Sequence, residues 1–479
     1  IPNLGAKSAK TGSQDKQQYV CPFCHSKRGL SLMGLRSVSE ISVSLSQMFS
    51  SQFNDDKKAL AFSDNVQDAA HHAGFFNHRT WRFGLRTAIQ EYSATNTGLV
   101  SLDAHKAASD ARLHADKVNE IRHLSNLVLV LLLTFGGGSV KRNGVYDQVV
   151  AALEGRDLVE FWGIEANPSV ETLREAIALG KERKVDFLLA VGGGSVIDGT
   201  KLIAAGLLYD GDAWDIVLKG QAGKTVPLAT VLTMSATGSE MNSGAVISRY
   251  ETKEKYAFYG DYPVFSILDP ETLYSLPKRQ VACGLADTFV HVLEQYMTTP
   301  HQSRLMDRWA EGILHTVVEI APKALADERD YDTMSEYMLS ATLALNDMIR
   351  MGVTQDWATH MIGHELTALH GLTHGATLAI VINGTLRVLR GQKRGKLLQY
   401  GERIWGIAGG SEEERIDRTI AANEAFFRSL GLSTRLSEEG IGEETIAEIE
   451  RRFTAAGDRF GEAQNVDGAM ARRILEACL

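Results

Sequence analysis

Short, continuous apolar runs mark the middle of the chain: LVLVLLLTF at 127–135, VDFLLAV at 185–191 and PLATVLT at 227–233. None alternates polar with apolar, so each reads as a strand buried on both faces, as in a parallel sheet. Each is also too short to span a membrane as a helix. The first two run into GGGS, at 136–139 and 192–195, and then into amphipathic stretches of helical period. This strand, glycine loop, helix pattern predicts an α/β unit beginning near residue 124. Glycines let backbone approach a phosphate, and the N–H groups of the following helix favour an anion. Neither copy is GxGxxG, so the ordinary dinucleotide fingerprint is absent.

A third loop, VLTMSATGSEMNSGAVI, follows the third run and offers hydroxyls at Thr233, Thr237 and Ser239. The segment KEKYAFYGDYP reads as a polar turn carrying Lys255. Further on, ADTFVHVLEQY places Asp287 and His291 four residues apart, on one face of a helix. The stretch DWATHMIGHELTALHGLTHGA then holds His360, His364, His370 and His374 among Met, Leu, Ala and Gly. Imidazoles in such apolar surroundings are costly without partners. A carboxylate and an imidazole from one helix, joined by two imidazoles of the second segment, make a four-ligand set suited to divalent Fe or Zn.

The chain has 479 residues, enough for two to four domains. Its formal charge of -9 provides no general attraction to nucleic acid or anionic membrane. Its 4 cysteines do not form a secreted disulfide framework, and no signal peptide is evident at the start, so a cytoplasmic location is expected. Composition shifts near Arg122, where a domain boundary is expected. Ahead of it, Cys21, Cys24 and His25 supply only part of a zinc site, which needs four ligands. The strand-then-SDNxQDAA segment that begins near Ala59 resembles part of the second motor domain of DEAD/DEAH-type helicases. No GxxxxGK[ST] loop accompanies it, so no ATPase is expected.

From Leu124 onward the sequence is similar to the iron-dependent, group III alcohol dehydrogenases, within them to the NADPH-dependent broad-range aldehyde reductase and butanol dehydrogenase branch. GGGSVIDGTK, ATGSE, LPKRQVACGLADTFVHVLEQY and QDWATHMIGHELTALHGLTHG carry the resemblance, in order. It implies an α/β N-terminal cofactor domain, residues 123–276, and an all-α C-terminal metal domain, residues 277–479. Residues 1–122 are expected to be an unrelated N-terminal extension, partly disordered. The implied metal ligands are Asp287, His291, His360 and His374, with His364 beside them as a proton relay. The implied cofactor groove comprises Gly136, Gly137, Gly138, Ser139, Gly193, Gly194, Ser195, Asp198, Thr233, Thr237 and Lys255. Family members carry a strand, a turn and a helix ahead of the run at 127–134, and no equivalent is recognisable here.

The function implied is reversible, NADP(H)-dependent reduction of aldehydes to primary alcohols, with one divalent metal, Fe(II) or Zn, polarising the carbonyl. The implied partners are a small-molecule aldehyde or alcohol and a second copy in a homodimer, with no nucleic acid and no membrane. Cofactor choice can also be read from the residues. The turn from Phe135 to Ser139 has no carboxylate to hold a ribose 2′-OH and repel a 2′-phosphate, while Lys141 and Arg142 add positive charge beside it. Two other readings are an interaction module carried by the extension, and a non-redox lyase of the dehydroquinate-synthase-like superfold.

Overall fold

The computed structural model describes residues 130–299 and 302–479, and every structural statement below refers to these. The boundary expected near Arg122, the Cys21, Cys24 and His25 motif and the helicase-like segment lie outside them, as does any lead-in to the first described strand.

Three of the five strands in the main sheet follow the apolar runs: β1 (Val130–Phe135), β3 (Phe187–Gly193) and β4 (Leu228–Met234). The other two are β2 (Asp157–Phe161) and the short β7 (Ser266–Leu268). Their order is β2-β1-β3-β4-β7, and every adjacent pair is parallel. The continuity of the apolar runs has a direct cause. Leu131, Leu133 and Phe135 enter one core with Phe187, Leu189 and Val191. Leu132 faces the other way, into a core shared with Leu188 and Ala190. Residues 131–133 are each 0% exposed, and burying each leucine contributes about 1.5–3 kcal/mol.

The amphipathic stretch after β1 is two helices rather than one, α1 (Ser139–Arg142) and α2 (Val145–Ala152), because Gly144 breaks it at φ 78°. α3 (Val170–Glu182) starts at Ser169, whose hydroxyl accepts from the Thr172 N–H. α4 (Gly194–Gly206) follows β3, and α5 (Ala213–Lys219) precedes β4. KEKYAFYGDYP departs from the expected polar turn. Strand β6 (Glu254–Tyr259) pairs antiparallel with β5 (Gly244–Arg249), so Lys255 sits in a hairpin, 5% exposed. Lys255 and Phe258 are the two buried residues of β6, so a charged-looking segment still packs as a strand.

From Lys278 the described chain is helical. α6 (Lys278–Tyr296) is the buried centre, around which pack α7 (Arg304–Ala324), α8 (Tyr331–Ala344) and α10 (His374–Val388), with α9 (Ala358–His370) against α10. α11 (Arg394–Trp405), α12 (Glu412–Ser429), α13 (Glu443–Ala456) and α14 (Gly468–Glu476) complete it. Leu285 and Phe289 of α6 belong to the same apolar cluster as Leu132 and Leu188 of the sheet, so the two halves share a core. Polar bonds add to this junction. Tyr337 donates to the Ser235 carbonyl, Thr342 to Glu240, and the Asn242 amide to the Leu345 carbonyl. Among the described residues, no helix is long and apolar enough to cross a membrane.

Candidate metal centre and cofactor cleft

Asp287, His291 and Glu294 fall at i, i+4 and i+7 of α6, on one face. His360 and His364 lie in the first two turns of α9. His370 ends that helix, Gly371 turns the chain at φ 69°, and His374 opens α10. The four-residue spacing of His370 and His374 therefore spans a break between helices and puts them on different surfaces. His370 is exposed and bonds Thr445 through Nε2, at 2.9 Å. His374 turns inward to Asp287.

The structure thus gathers Asp287, His291, His360 and His374, with one candidate ligand atom from each, all within 4.8 Å of one another. Asp287 Oδ1 lies 3.5 Å from His291 Nδ1, 3.9 Å from His360 Nε2 and 3.7 Å from His374 Nε2. These gaps are too long for good hydrogen bonds. They are close to the separation of about 3.4 Å between donors that each sit about 2.1 Å from a tetrahedral ion. Asp287 Oδ1, His291 Nδ1 and His360 Nε2 are buried and have no hydrogen-bond partner in the protein. Three orphaned donors converging on one point are costly unless a cation satisfies them. The set fits a divalent metal.

The electrostatics agree. Burial raises the Asp287 carboxyl to about 7, opposed by His360 and Lys255. Burial also holds His291 well below its ordinary value, helped by His360, and does the same to His364 and His374, helped by Lys255. Neutral imidazoles are the form that binds metal.

His364 lies beside the cluster, its ring centroid 5.1 Å from that of His374, with Nδ1 buried and unpartnered. Trp357 packs edge-on to His360 and closes that side. Tyr256 instead tilts against Trp214.

The glycine loops sit at the C-terminal ends of β1 and β3, where open α/β sheets bind ligands. In the loop of Gly136, Gly137, Gly138 and Ser139 the space is open at Gly137 and Gly138, with nothing within 4 Å of a Cβ on either, and Gly138 has φ 87°, whereas a Cβ on Gly136 would meet the Ile164 carbonyl oxygen at 3.2 Å. Ser139 and Arg142 are exposed. The Lys141 ammonium rests over the Trp162 ring at 4.0 Å, and that ring stacks on Phe135. Gly193 and Gly194 also have a packing reason. A Cβ there would meet Met234 at 2.9 Å and Thr237 Oγ1 at 2.3 Å, so these glycines let the third loop, with Thr233 and Thr237, lie against the second.

Asp198 is braced from both sides, accepting from Ser239 Oγ and from the Val246 N–H at 2.9 Å. Lys255 donates to Asn167 Oδ1 at 2.9 Å, and burial lowers its ammonium to about 8 against the pull of Asp198 and Asp287. Asn167 also donates its N–H to Ser195 Oγ at 3.2 Å, linking Lys255 to the second glycine loop. Sequence reasoning missed Asn167, whose only signal is the turn-forming Asn-Pro pair, and Glu294, whose signal is its place on the Asp287 and His291 face.

Comparison with known proteins agrees with this architecture. Residues 112–270 match the family described as iron-containing alcohol dehydrogenase. Residues 281–476 match the C-terminal domain of the Fe-containing alcohol dehydrogenase family. The chain belongs to the iron-containing alcohol dehydrogenase family, metal-dependent oxidoreductases that interconvert aldehydes and alcohols. It is 51% identical over 354 residues to the NADPH-dependent aldehyde reductase YqhD of Escherichia coli (strain K12), covering 72% of this chain and 92% of that protein. It is 42% identical over 356 residues to a probable NADH-dependent butanol dehydrogenase 1 of Bacillus subtilis (strain 168), covering 73% and 92%. The crystal structure of E. coli K-12 YqhD aligns with a TM-score of 0.73 at 49% identity, covering 76% of this chain and 95% of that one.

Proposed function

We propose that the chain catalyses reversible reduction of aldehydes to primary alcohols with NADP(H), at a divalent metal, Fe(II) or Zn, held by Asp287, His291, His360 and His374. The observation that carries this reading is the convergence of donor atoms from those residues, those of Asp287, His291 and His360 buried and unpartnered. When bound, the nicotinamide supplies hydride and the metal supplies Lewis-acid polarisation of the substrate carbonyl. The protein orients both groups and excludes water. The loops at Gly136–Ser139 and Gly193–Ser195 offer backbone N–H groups to the dinucleotide phosphates. Thr233, Thr237 and Lys255 line the groove beside them, and Asp198 braces it through Ser239 and Val246.

His364 holds the proton path. Its buried Nδ1 has no protein partner and its ring lies 5.1 Å from that of His374, so it is placed to relay a proton. His364→Ala should retain metal and lower kcat on the order of 10- to 100-fold, the low end of general acid–base effects because water can substitute. Unchanged kcat with full metal content would remove His364 from the path.

Cofactor choice is a separate question, since the relatives include both NADPH- and NADH-dependent proteins. The carboxylate-free turn at Gly136–Ser139, open at Gly137 and Gly138 and with Arg142 and Lys141 beside it, supports NADPH. Butanal reduction followed by nicotinamide absorbance, on protein of measured metal content, tests both the activity and the preference. NADPH should lead NADH by at least about tenfold in kcat/KM, about 1.4 kcal/mol. Gly137→Asp should narrow that ratio. It is a cleaner probe than the same change at Gly138, where φ 87° would strain any side chain. Equal rates with the two cofactors would show that this turn does not select the 2′-phosphate.

A further inference from the structure

The start of α9 is unusual in how it is capped. The residue before Ala358 is Trp357, in the left-handed region at φ 63°, and its side chain does not cap the helix. Helices ordinarily satisfy their first N–H groups through a local Ser, Thr, Asp or Asn. Here Asp356 takes only the first, its Oδ1 accepting from the Ala358 N–H at 3.2 Å. The next two are served from another helix. Glu294 Oε1 accepts from the Thr359 N–H at 2.6 Å, and Oε2 from the His360 N–H at 3.2 Å. The same Oε2 also meets Nδ1 of the His360 ring. Glu294 is 2% exposed, so these bonds form away from water, where a carboxylate needs them most.

A carboxylate can only accept, so His360 must carry its ring proton on Nδ1. That leaves the Nε2 lone pair free, and Nε2 is the buried, unpartnered atom facing Asp287 Oδ1 at 3.9 Å. One side chain therefore anchors the backbone at the start of α9 and fixes both the rotation and the tautomer of a ring on that turn. It projects from α6, the helix that also carries Asp287 and His291. We propose that Glu294 is a positioning residue of the metal centre, setting the His360 tautomer and docking the start of α9 onto α6.

This proposal rests on the four-ligand reading of Asp287, His291, His360 and His374, and the two can fail separately. The test is zinc affinity of the full chain, stripped of metal and then titrated against a competing chelator. Three proteins are compared: the unmodified chain, Glu294→Gln and His291→Ala. Glutamine keeps the shape and one acceptor oxygen but offers an NH2 group at the other position. Zinc binding in Glu294→Gln should weaken about 10- to 100-fold, the usual effect of losing a ligand's hydrogen-bond partner, with little change in the metal-free unfolding midpoint. A lower metal-free midpoint with unchanged affinity would mean that Glu294 only caps the helix, and would overturn the proposal. Full affinity in Glu294→Gln with loss in His291→Ala overturns it alone, and full affinity in both also removes the four-ligand reading. Nitrogen-15 NMR of the unmodified, metal-free protein decides the matter without a Glu294 variant. The imidazole signals missing from His360→Gln should report the Nδ1–H tautomer, and an Nε2–H tautomer there overturns the proposal.

Discussion

Replacing either His291 or His374 with Ala should remove the bound metal and the aldehyde reductase activity together. Both side chains reach the cluster around Asp287, but from different helices, α6 and α10, so the two variants test the convergence independently. Each deletion leaves Asp287 buried with one fewer neighbour and leaves a cation one donor short. A metal that polarises a carbonyl is worth several kcal/mol of transition-state stabilisation. A loss of about 4 kcal/mol corresponds to about a thousandfold in kcat/KM. His370→Ala is the control. His370 belongs to the same histidine-rich stretch but is exposed and bonded to Thr445, so it should keep both metal and rate. Metal analysis and turnover of the three variants check this. Near-normal values in both His291→Ala and His374→Ala would sink the assignment.

Gly375→Ala should damage the same centre without touching a ligand. Gly375 is the second residue of α10, directly after His374, where helix propensity alone favours Ala by about 1 kcal/mol. Packing opposes this. A Cβ at that position would meet the Cys283 carbonyl oxygen at 2.0 Å and its carbon at 2.8 Å. Those atoms are backbone of α6 and cannot rotate away, so α10 must move by about 1.5 Å to restore ordinary contact. Overpacking of this kind costs about 1–3 kcal/mol, occasionally more, and outweighs the propensity gain. Because His374 rides on the displaced turn, metal affinity should fall at least about tenfold as well. Denaturant unfolding and metal titration read the two effects. An unchanged midpoint with unchanged affinity would show that α10 has slack here. Gly284 marks a second close approach along α6, where a Cβ would meet the Tyr337 hydroxyl at 2.0 Å and the Ser235 carbonyl at 2.5 Å.

The α/β half was legible because its signal is local. A continuous apolar run has no solvent-facing side, and the structure sends alternate residues of β1 and β3 into two cores. The Asp287 and His291 pair was legible for a similar reason, since a helix puts residues four apart on one face. The rule does not extend to His370 and His374, because a glycine between them ends one helix and lets another begin. The polar turn expected around Lys255 failed, because that stretch became a strand that buries Lys255 and Phe258.

By itself the sequence determined the parallel strands, the glycine loops that follow two of them, the helix bearing Asp287 and His291, and the residue types of a metal centre. Family resemblance narrowed four histidines of one stretch to His360 and His374. Only the tertiary structure decided that donors from three helices meet within 4.8 Å. It also decided that Lys255 turns to Asn167, and that Glu294 holds the start of α9. The physical reason is range. Periodicity and turn chemistry act over a few residues, whereas these contacts join positions 65 or more residues apart and depend on where glycines let helices touch.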